Sequence, residues 1–332
     1  MENHANITYD LDGSVEALQT LSIGISSLGV VANAALFYIF IVDSYFRKII
    51  YYLMLLCCFT DLVSNTLILI IYSVFLTTNI KLSVASTICR TFSFIVYASY
   101  SISILNLSLI AAFRYLSVVR PFSDLYLIYK NQFIIISEII IWLVSIAVGI
   151  PDFIHIEARQ NKRIICDYSE ITNNVSIYLI MYVIINYIIP SVIIIILYWR
   201  IIVHQRNYSR PGQPSVIDRR NVDKKDKLVK SLIYISAFYI LSTWPFFAWL
   251  IAIAITQQTL LDIAFQSEAY FWLSMFSIST TAVIAVINPF LCIKFDENIR
   301  RRLKNRLLSR FRFFNLVNNK VTSTVIYPSS AN

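Results

Sequence analysis

Charged residues and histidines are scarce in this sequence. Asp, Glu, Lys and Arg together make up 14% of the 332 residues, and 58% of the residues are hydrophobic. Because soluble globular domains carry about 25% charged residues, this composition indicates a membrane protein. The three histidines (His4, His155 and His204) lie outside the long apolar runs, and the sequence has no metal-ligand cluster and no Ser–His or paired-Asp arrangement. We therefore expect neither a metal centre nor an enzyme.

Residues 1–17 contain no Lys or Arg, although they contain Glu2, Asp10, Asp12 and Glu16. A cleavable signal peptide begins with a basic region. The first apolar run is therefore expected to remain in the mature protein as a signal anchor.

Seven apolar runs are long enough to cross a bilayer as helices. Their approximate bounds are 18–42, 50–77, 86–118, 132–153, 175–202, 228–256 and 267–293. The sequence thus predicts an all-α membrane protein with a seven-transmembrane helix bundle. We divide the chain into an extracellular N-terminus (1–17), the bundle (18–293), an amphipathic helix on the inner surface (294–310) and a cytoplasmic tail (311–332).

The distribution of basic residues predicts the orientation of the bundle. With the N-terminus outside, only five of the 28 Lys and Arg residues face outwards, namely Lys81, Arg90, Arg159, Lys162 and Arg163. Lys and Arg are enriched in cytoplasmic loops. The net charge of +9 is thus explained by topology, and we expect no nucleic-acid partner.

The segment after the seventh run has an apolar stripe at helical spacing. Phe295, Ile299, Leu303 and Leu307 recur every four residues, with Lys and Arg residues between them. Such a pattern is typical of an amphipathic helix that lies on a membrane whose anionic lipids face its basic side. An unstructured basic tail is the alternative.

Four polar residues from four different runs lie at a similar depth when residues are counted from the predicted inner ends. They are Asn33, Asp61, Ser103 and Asn288. Polar groups inside a bilayer are costly and are functional candidates by default. Asp61 could take up a proton, or it could stay ionised and hold a small cation such as Na⁺. The alternative is hydrogen bonding between helices, which we favour for Asn33. Glu138 is expected to reach the inner surface and is assigned no role.

Prolines interrupt three of the predicted spans. Pro190, Pro245 and Pro289 each remove a backbone donor and bend the helix that contains them. Bends in the fifth, sixth and seventh spans suit a bundle that changes shape, although static membrane proteins have them as well.

Eight features, in order along the seven spans, resemble the rhodopsin-like (class A) family of G-protein-coupled receptors over residues 18–307. They are Asn33, Asp61, Cys89 with Arg114 at a separation of 25 residues, Arg114-Tyr115 followed by Val119 and Pro121, Trp142, Pro190 with Tyr198, Trp244-Pro245, and Asn288-Pro289.

The resemblance implies a role for each of these groups. It implies a plasma-membrane receptor whose partners are an extracellular ligand, heterotrimeric G proteins and membrane lipid, with a sodium site at Asp61, Ser103, Asn288 and Asn33. The G-protein switch would comprise Arg114, Tyr115, Tyr198, Trp244, Pro245, Asn288 and Pro289. A disulfide would join Cys89 to Cys166, and the outward-facing sequons at Asn6 and Asn174 would carry glycans.

The sequence departs from the family pattern around Arg114. Phe113 stands where the acidic residue before the arginine is usual, and Lys225 stands where many members have its acidic partner in the sixth helix. Both ionic restraints on Arg114 are therefore expected to be absent, which predicts high ligand-independent signalling. Cys292 replaces the tyrosine of the seventh-helix motif, and Thr243 stands where the switch tryptophan is usual.

The ligand is less well defined by the sequence. Val96 stands where amine receptors of the family have an aspartate, and the seventh span contains no lysine for a retinal Schiff base. Acidic residues outnumber basic ones in the predicted outer segments, which favours a cationic ligand such as a basic or amidated neuropeptide; ordinary solvated loops are the alternative. By position alone, the pocket candidates are Tyr97, Tyr100, Trp249, Tyr270 and Trp272.

The second candidate function is a seven-span ion channel or transporter, in which Asp61 would mark the ion path. The spans show no inverted repeat and no paired broken helices, which are the usual sequence marks of transporters.

Overall fold

The computed structural model describes the backbone of residues 2–78, 80–160, 163–207 and 216–306, and the side chains of residues 13–78, 80–159, 163–207 and 232–306. Within these ranges, seven helices are long and apolar enough to cross a membrane, which confirms the predicted seven-helix class. Their bounds differ from the predicted ones by a few residues. In chain order, spans 1 to 7 are Gly13–Val42, Ile49–Thr77, Leu82–Val119, Lys130–His155, Asn173–Asn207, Leu232–Thr256 and Glu268–Phe295.

Two of these spans belong to longer helices. Span 1 continues a helix that covers Glu2–Val42, although residues 1–17 were predicted to form a separate N-terminal segment. Span 6 ends a helix that covers Val216–Thr256. Short elements connect the spans: a 3₁₀ turn at Ser44–Phe46, a helix at Asp124–Leu127, strands at Ile156–Gln160 and Ile164–Tyr168, and a helix at Leu260–Gln266. A last helix over residues 297–306 follows span 7.

Span 1 packs closely on spans 2 and 7 through Gly29. A Cβ atom at this position would lie 2.5 Å from Asn65 Oδ1 and 2.8 Å from Val286 Cγ2. Both distances are shorter than van der Waals contact, so only glycine allows this approach. One turn further along, Asn33 is buried and donates to the backbone oxygens of Gly29 and Ala285. Asn33 therefore joins span 1 to span 7.

Span 5 contains a π-helical turn at Ile184–Ile188, which ends two residues before Pro190. Pro190 has no N–H group to donate to the carbonyl oxygen four residues earlier, at Asn186. The wider turn accommodates this break, as π turns often do. The Asn186 side chain is fully buried, and its Oδ1 atom accepts a hydrogen bond from the Ser101 hydroxyl of span 3.

The two strands after span 4 pair as an antiparallel hairpin that places Ala158 opposite Cys166. A disulfide bond joins Cys166 to Cys89 near the start of span 3, which confirms the predicted pairing. We call strands Ile156–Gln160 and Ile164–Tyr168 the hairpin, the end of the bundle that carries them the disulfide end, and the opposite end the Arg114 end.

The interior of the bundle contains two large apolar clusters. One includes Leu53, Ile110 and Ile201 and lies towards the Arg114 end, and the other includes Phe75 and Leu250 and lies towards the disulfide end. The outer surface is also apolar, and span 4 has the smallest buried share of the seven. A bundle with an apolar outside is what a helix protein needs in lipid. The chain is thus a multi-pass membrane protein.

Candidate functional site

A polar cluster centred on Asp61 lies between spans 2, 3 and 7. The Asp61 carboxylate accepts hydrogen bonds from Asn288 Nδ2 at 2.9 Å and from Ser103 Oγ at 3.2 Å. The Thr60 hydroxyl lies 2.8 Å from Ser103 Oγ. The structure thus brings three of the four predicted polar residues into direct contact, and Asn33 stays outside this set because its amide donates to backbone oxygens instead.

A cavity extends from Asp61 towards the Arg114 end. It comprises about 490 Å³ of space between atoms, part of it open to the surroundings, and its walls include Met54, Cys58, Tyr239 and Cys292. Cys292 is the residue that replaces the tyrosine of the seventh-helix motif named in the sequence analysis. Its thiol lies at this cavity, and Cys292, like Cys57 and Cys58, forms no disulfide bond.

Arg114 lies near the end of span 3 without an acidic partner among the described residues. Its buried Nε–H group donates no hydrogen bond within the described structure, and the hydroxyl of Tyr198 faces the Ser236 side chain. The preceding residue, Phe113, is buried, and its ring centre lies 5.7 Å from that of Tyr126. The Tyr115 hydroxyl faces Arg200. The Arg114 guanidinium thus has no acidic partner and an unpaired Nε–H group within the part of the chain that the structure describes.

Trp244 does not occupy the interior position that its predicted switch role requires. Its side chain is 56% exposed on the outside of the bundle, whereas Thr243 is fully buried and donates to the Tyr239 carbonyl oxygen. Neighbouring residues in a helix point about 100° apart, so a displacement of one residue turns the indole towards lipid. The prediction for the Trp244 side chain is therefore corrected, while Pro245 lies within span 6 as expected.

A second cavity lies beneath the hairpin. It encloses about 1170 Å³ of space between atoms, part of it open to solvent. Three of the five predicted pocket residues, Tyr97, Tyr100 and Trp249, line this cavity. Tyr270 and Trp272 do not, because they lie on the exposed surface of span 7 with 63% and 39% exposure; their assignment to the pocket is corrected.

The hairpin is fixed over this cavity by a buried carboxylate that sequence analysis did not single out. Asp152, near the end of span 4, accepts hydrogen bonds at 2.7 Å from the hydroxyl groups of Tyr168 and Tyr178. Tyr168 belongs to the hairpin and lines the cavity, and Tyr178 belongs to span 5. Asp152 therefore holds the cavity wall in place. Its place beside Pro151 at the end of the fourth apolar run was the available signal.

A second carboxylate ties the hairpin to the short helix Leu260–Gln266. Asp167 accepts from the backbone N–H groups of Tyr168, Leu260 and Leu261 at 2.8, 3.2 and 3.0 Å. Burial raises the pKa of Asp167 to about 6, although the three N–H donors oppose the increase. This carboxylate is one of two that line the cavity, and the other is Asp61.

Glu138 is buried, although it was expected to reach the membrane surface. Its exposure is 8%, and both carboxyl oxygens lack a hydrogen-bond partner within the described structure. The side chains of Trp142 and Asn106 face it from spans 4 and 3. The geometry places Glu138 between helices, so the expectation of a surface position is wrong.

The last helix is anchored to the turn between spans 1 and 2. Arg302 Nη1 lies 2.7 Å from Asp43 Oδ1, and its guanidinium group lies 4.1 Å from the centre of the Tyr45 ring. At the start of the helix, Asp296 accepts from the backbone N–H of Asn298 and from the hydroxyl of Tyr51. These contacts fix the helix against the bundle. Its predicted continuation to residue 310, and the tail over 311–332, lie outside the described residues.

We expect the Asp43→Asn variant to loosen this helix. Burial would raise the pKa of Asp43, but hydrogen bonds from Arg302 and from the Tyr45 backbone outweigh it and lower the pKa. The ionised carboxylate therefore stabilises the folded helix above its ordinary pKa of about 3.9, and this contribution is lost as the pH falls further. Because Arg302 is about a third exposed, the loss is expected to be about 1 kcal/mol.

Hydrogen exchange of the backbone amides over residues 300–306 measures this effect. The exchange at neutral pH should become about fivefold faster in Asp43→Asn. Glu297→Gln is the matched control, since Glu297 lies exposed on the same helix and its substitution removes the same charge. Equal exchange in the two variants would show that the Asp43–Arg302 pair does not anchor the helix.

The two predicted glycan sites differ in what the structure describes. Asn174 is exposed in the first turn of the helix that begins span 5, at the disulfide end. The side chain of Asn6 lies outside the described part.

The described side chains contain no group of three His, Cys, Asp or Glu residues that could hold a metal ion.

Comparison with known protein families gives one match. Residues 32–291 match the family described as 7 transmembrane receptor (rhodopsin family). The matched range begins just before Asn33 and ends just after Pro289, and thus includes the Asp61 cluster, the disulfide bond and Arg114. A search of curated individual proteins finds no match.

Proposed function

The chain belongs to the rhodopsin family of seven-transmembrane receptors, and we propose that it transmits the signal of an extracellular ligand to heterotrimeric G proteins. In this proposal the N-terminus and the disulfide end face outwards at the plasma membrane, and the Arg114 end faces the cytoplasm. The concentration of Lys and Arg in the loops and tail at the Arg114 end supports this orientation.

The observation that carries the proposal is the arrangement of the two cavities. The cavity beneath the hairpin and the cavity towards the Arg114 end share one lining residue, Asp61. A ligand at the disulfide end can therefore alter contacts among spans 2, 3 and 7 through Asp61 and its donor Asn288. Pro289 follows Asn288 directly and removes one backbone hydrogen bond from span 7, which lowers the cost of bending there.

The G-protein surface would form at the Arg114 end. Arg114, Tyr115 and Tyr198 supply a guanidinium group and two hydroxyl groups, and the switch residues Pro245, Asn288 and Pro289 lie in the two spans that would move. The last helix would rest on the inner leaflet, with its basic side chains facing anionic lipid.

The ligand is proposed to be a peptide, and a cationic one. No Lys, Arg or His is among the described residues that line the cavity beneath the hairpin, whereas Asp61 and Asp167 are. Such a lining attracts positive charge. Aromatic residues make up much of the remaining wall, which suits aromatic or aliphatic peptide side chains. Glycans at Asn6 and Asn174 would lie on the same outer side.

Without ligand, Asp61 and Ser103 would hold a small cation such as Na⁺. Ser103 Oγ donates a hydrogen bond of 3.2 Å to Asp61 Oδ1 in the structure. In the proposed bound state both oxygen atoms would direct lone pairs to the ion, since oxygen atoms are the ligands that hard cations prefer.

The direct test is nucleotide exchange on purified G-protein heterotrimers of the main classes, added to membranes that contain the full chain. Because Arg114 has no acidic partner within the described residues, we expect exchange above that of mock membranes without any ligand. Arg114→Ala, at matched surface expression, should remove at least about 90% of it, the effect of losing roughly 1.4 kcal/mol of coupling. A cation current across bilayers without any exchange would instead favour the channel function, which the family match does not support.

A further inference from the structure

The cavity beneath the hairpin reaches the intramembrane carboxylate itself. Its lining begins at the disulfide end with Cys166 and Tyr168 of the hairpin and ends at Asp61, next to Ser64. Asp61 also lines the cavity on its other side. A single acidic residue, Asp61, therefore borders both cavities.

Several small side chains line the route to Asp61. On the side of spans 2 and 7, the lining includes Ser64, Ala282 and Ala285, together with larger side chains such as Ile68, Tyr72 and Ile278. The opposite side is a wall of aromatic rings from spans 3 and 6, in which Tyr97 and Phe246 stack with ring centres 5.9 Å apart. An elongated group could thus pass along the aromatic wall and approach Asp61.

Of the two carboxylates in this cavity, only Asp61 is available to a ligand. Asp167 is surrounded by the three backbone N–H donors described above, which stabilise its negative charge. Asp61 accepts from two neutral donors, Asn288 Nδ2 and Ser103 Oγ, one to each oxygen. A carboxylate has about four acceptor sites, so Asp61 retains free acceptor capacity and has no basic partner among the described lining residues.

One further polar group faces the same cavity without a partner. The Trp249 indole N–H is buried and forms no hydrogen bond within the described structure, whereas the Tyr100 hydroxyl faces Tyr239 and Thr243. Buried polar atoms are rarely left unpaired, so the indole N–H is available to a polar group along a bound molecule. A ligand that fits this lining combines an apolar body, a few hydrogen-bonding groups and one positive end.

We propose that the ligand inserts a positively charged group, such as an amine or a guanidinium, to direct contact with Asp61. This inference rests on the proposed receptor function and specifies the ligand class of the same site. A peptide ligand would place a Lys or Arg side chain in the passage, with its apolar neighbours against Tyr97 and Phe246. Ligands with an inserted carboxylate would be rejected, and Na⁺ would compete with the ligand for Asp61.

Charge-selective thiol labelling tests this proposal without knowledge of the ligand. A cysteine is introduced by Ala282→Cys in the full chain in lipid nanodiscs, and the wild-type chain measures the background from the native thiols. Methanethiosulfonate reagents of similar size, one with a trimethylammonium group and one with a sulfonate group, are compared. The measured quantity is the reaction rate of the cationic reagent divided by that of the anionic reagent. The same ratio at Thr87→Cys, an exposed position at the disulfide end, serves as the reference. The ratio at Ala282→Cys should exceed this reference at least about tenfold.

Two additional variants assign the selectivity to Asp61. Adding Asp61→Asn should reduce the ratio to that of Thr87→Cys, whereas adding Asp61→Glu should retain it. Equal rates for both reagents, a ratio that Asp61→Asn leaves unchanged, or failure of both reagents to reach the introduced thiol would each overturn the proposal. This measurement involves no G protein, so its outcome is separate from that of the nucleotide-exchange test.

Discussion

Replacing Phe113 by aspartate is expected to lower ligand-independent G-protein activation about tenfold relative to replacing it by asparagine. Both variants remove the same aromatic ring and introduce side chains of nearly equal size. Only aspartate places a negative charge directly before Arg114. Hydrogen bonds to charged groups contribute about 1.5–3 kcal/mol, and 1.4 kcal/mol changes an equilibrium tenfold.

The structure gives the reason for expecting a large effect at this position. The Arg114 guanidinium has a buried Nε atom without a hydrogen-bond partner, and the described residues offer it no ion pair. Lys225, the residue at the second restraint position, lies outside the described side chains, but its sequence identity rules out an acidic partner there. An added carboxylate would therefore form an ion pair with Arg114 in the resting state. This ion pair would stabilise the resting state relative to the active state.

Nucleotide exchange in membranes, at matched receptor density, measures this effect. Loss of the contact between the Phe113 and Tyr126 rings affects both variants alike, and Phe113→Tyr, which retains the ring, should behave like the wild type. If aspartate and asparagine give the same basal exchange, the missing carboxylate does not control the resting state, and the ligand-independent activity must have another origin.

The Asp61 cluster could be predicted because depth in a membrane helix follows from counting residues. Asp61 and Ser103 lie at equal numbers of residues from the inner ends of their spans, and each residue rises 1.5 Å. The same counting placed Asn288 close to them. Depth does not determine which partner a side chain selects, and Asn33 bonds to backbone oxygens although it lies near the same level.

Rotation of a helix about its axis was harder to predict than depth. Trp244, Tyr270 and Trp272 are large aromatic residues that are equally stable against lipid or against other helices, and aromatic residues are common at membrane surfaces. Their spans contain apolar residues on every side, so the sequence shows no polar face that would identify the outside. The structure turns all three away from the cavity.

The contacts of Asp152 depended on the conformation of a loop. Its two donors lie 16 and 26 residues further along the chain, and one belongs to the hairpin, whose position depends on the disulfide. Residue spacing carries no information about such pairings. Glu138 shows the opposite case, since its burial could have been considered from its position within an apolar span, eight residues after the start at Lys130.

Removing the disulfide by combining Cys89→Ser with Cys166→Ser is expected to lower the Tm of the full chain by about 8 °C. The bridge joins residues 77 positions apart, and closing a loop of this length removes about 4 kcal/mol of unfolded-state entropy. Each kcal/mol corresponds to about 2 °C in a chain of this size. Thermal unfolding of the purified receptor, with Cys292→Ser as the control for a free thiol, measures the change.

The hairpin should lose more order than the spans when this bridge is absent, because only the hairpin depends on it for its position over the cavity. Polar contacts would remain from Asp167 to the short helix, from Tyr168 to Asp152, and from the Gln19 amide to the Ile164 carbonyl oxygen. Arg90 and Ser86 of span 3 would also keep their hydrogen bonds to the hairpin backbone. Amide exchange over 156–168 should therefore accelerate while the spans stay protected, and mild reduction of the wild type should have the same effect. An unchanged Tm and unchanged exchange would mean that these polar contacts alone hold the hairpin in position. The hairpin would then be fixed over the cavity by Asp152 and Asp167 rather than by the disulfide.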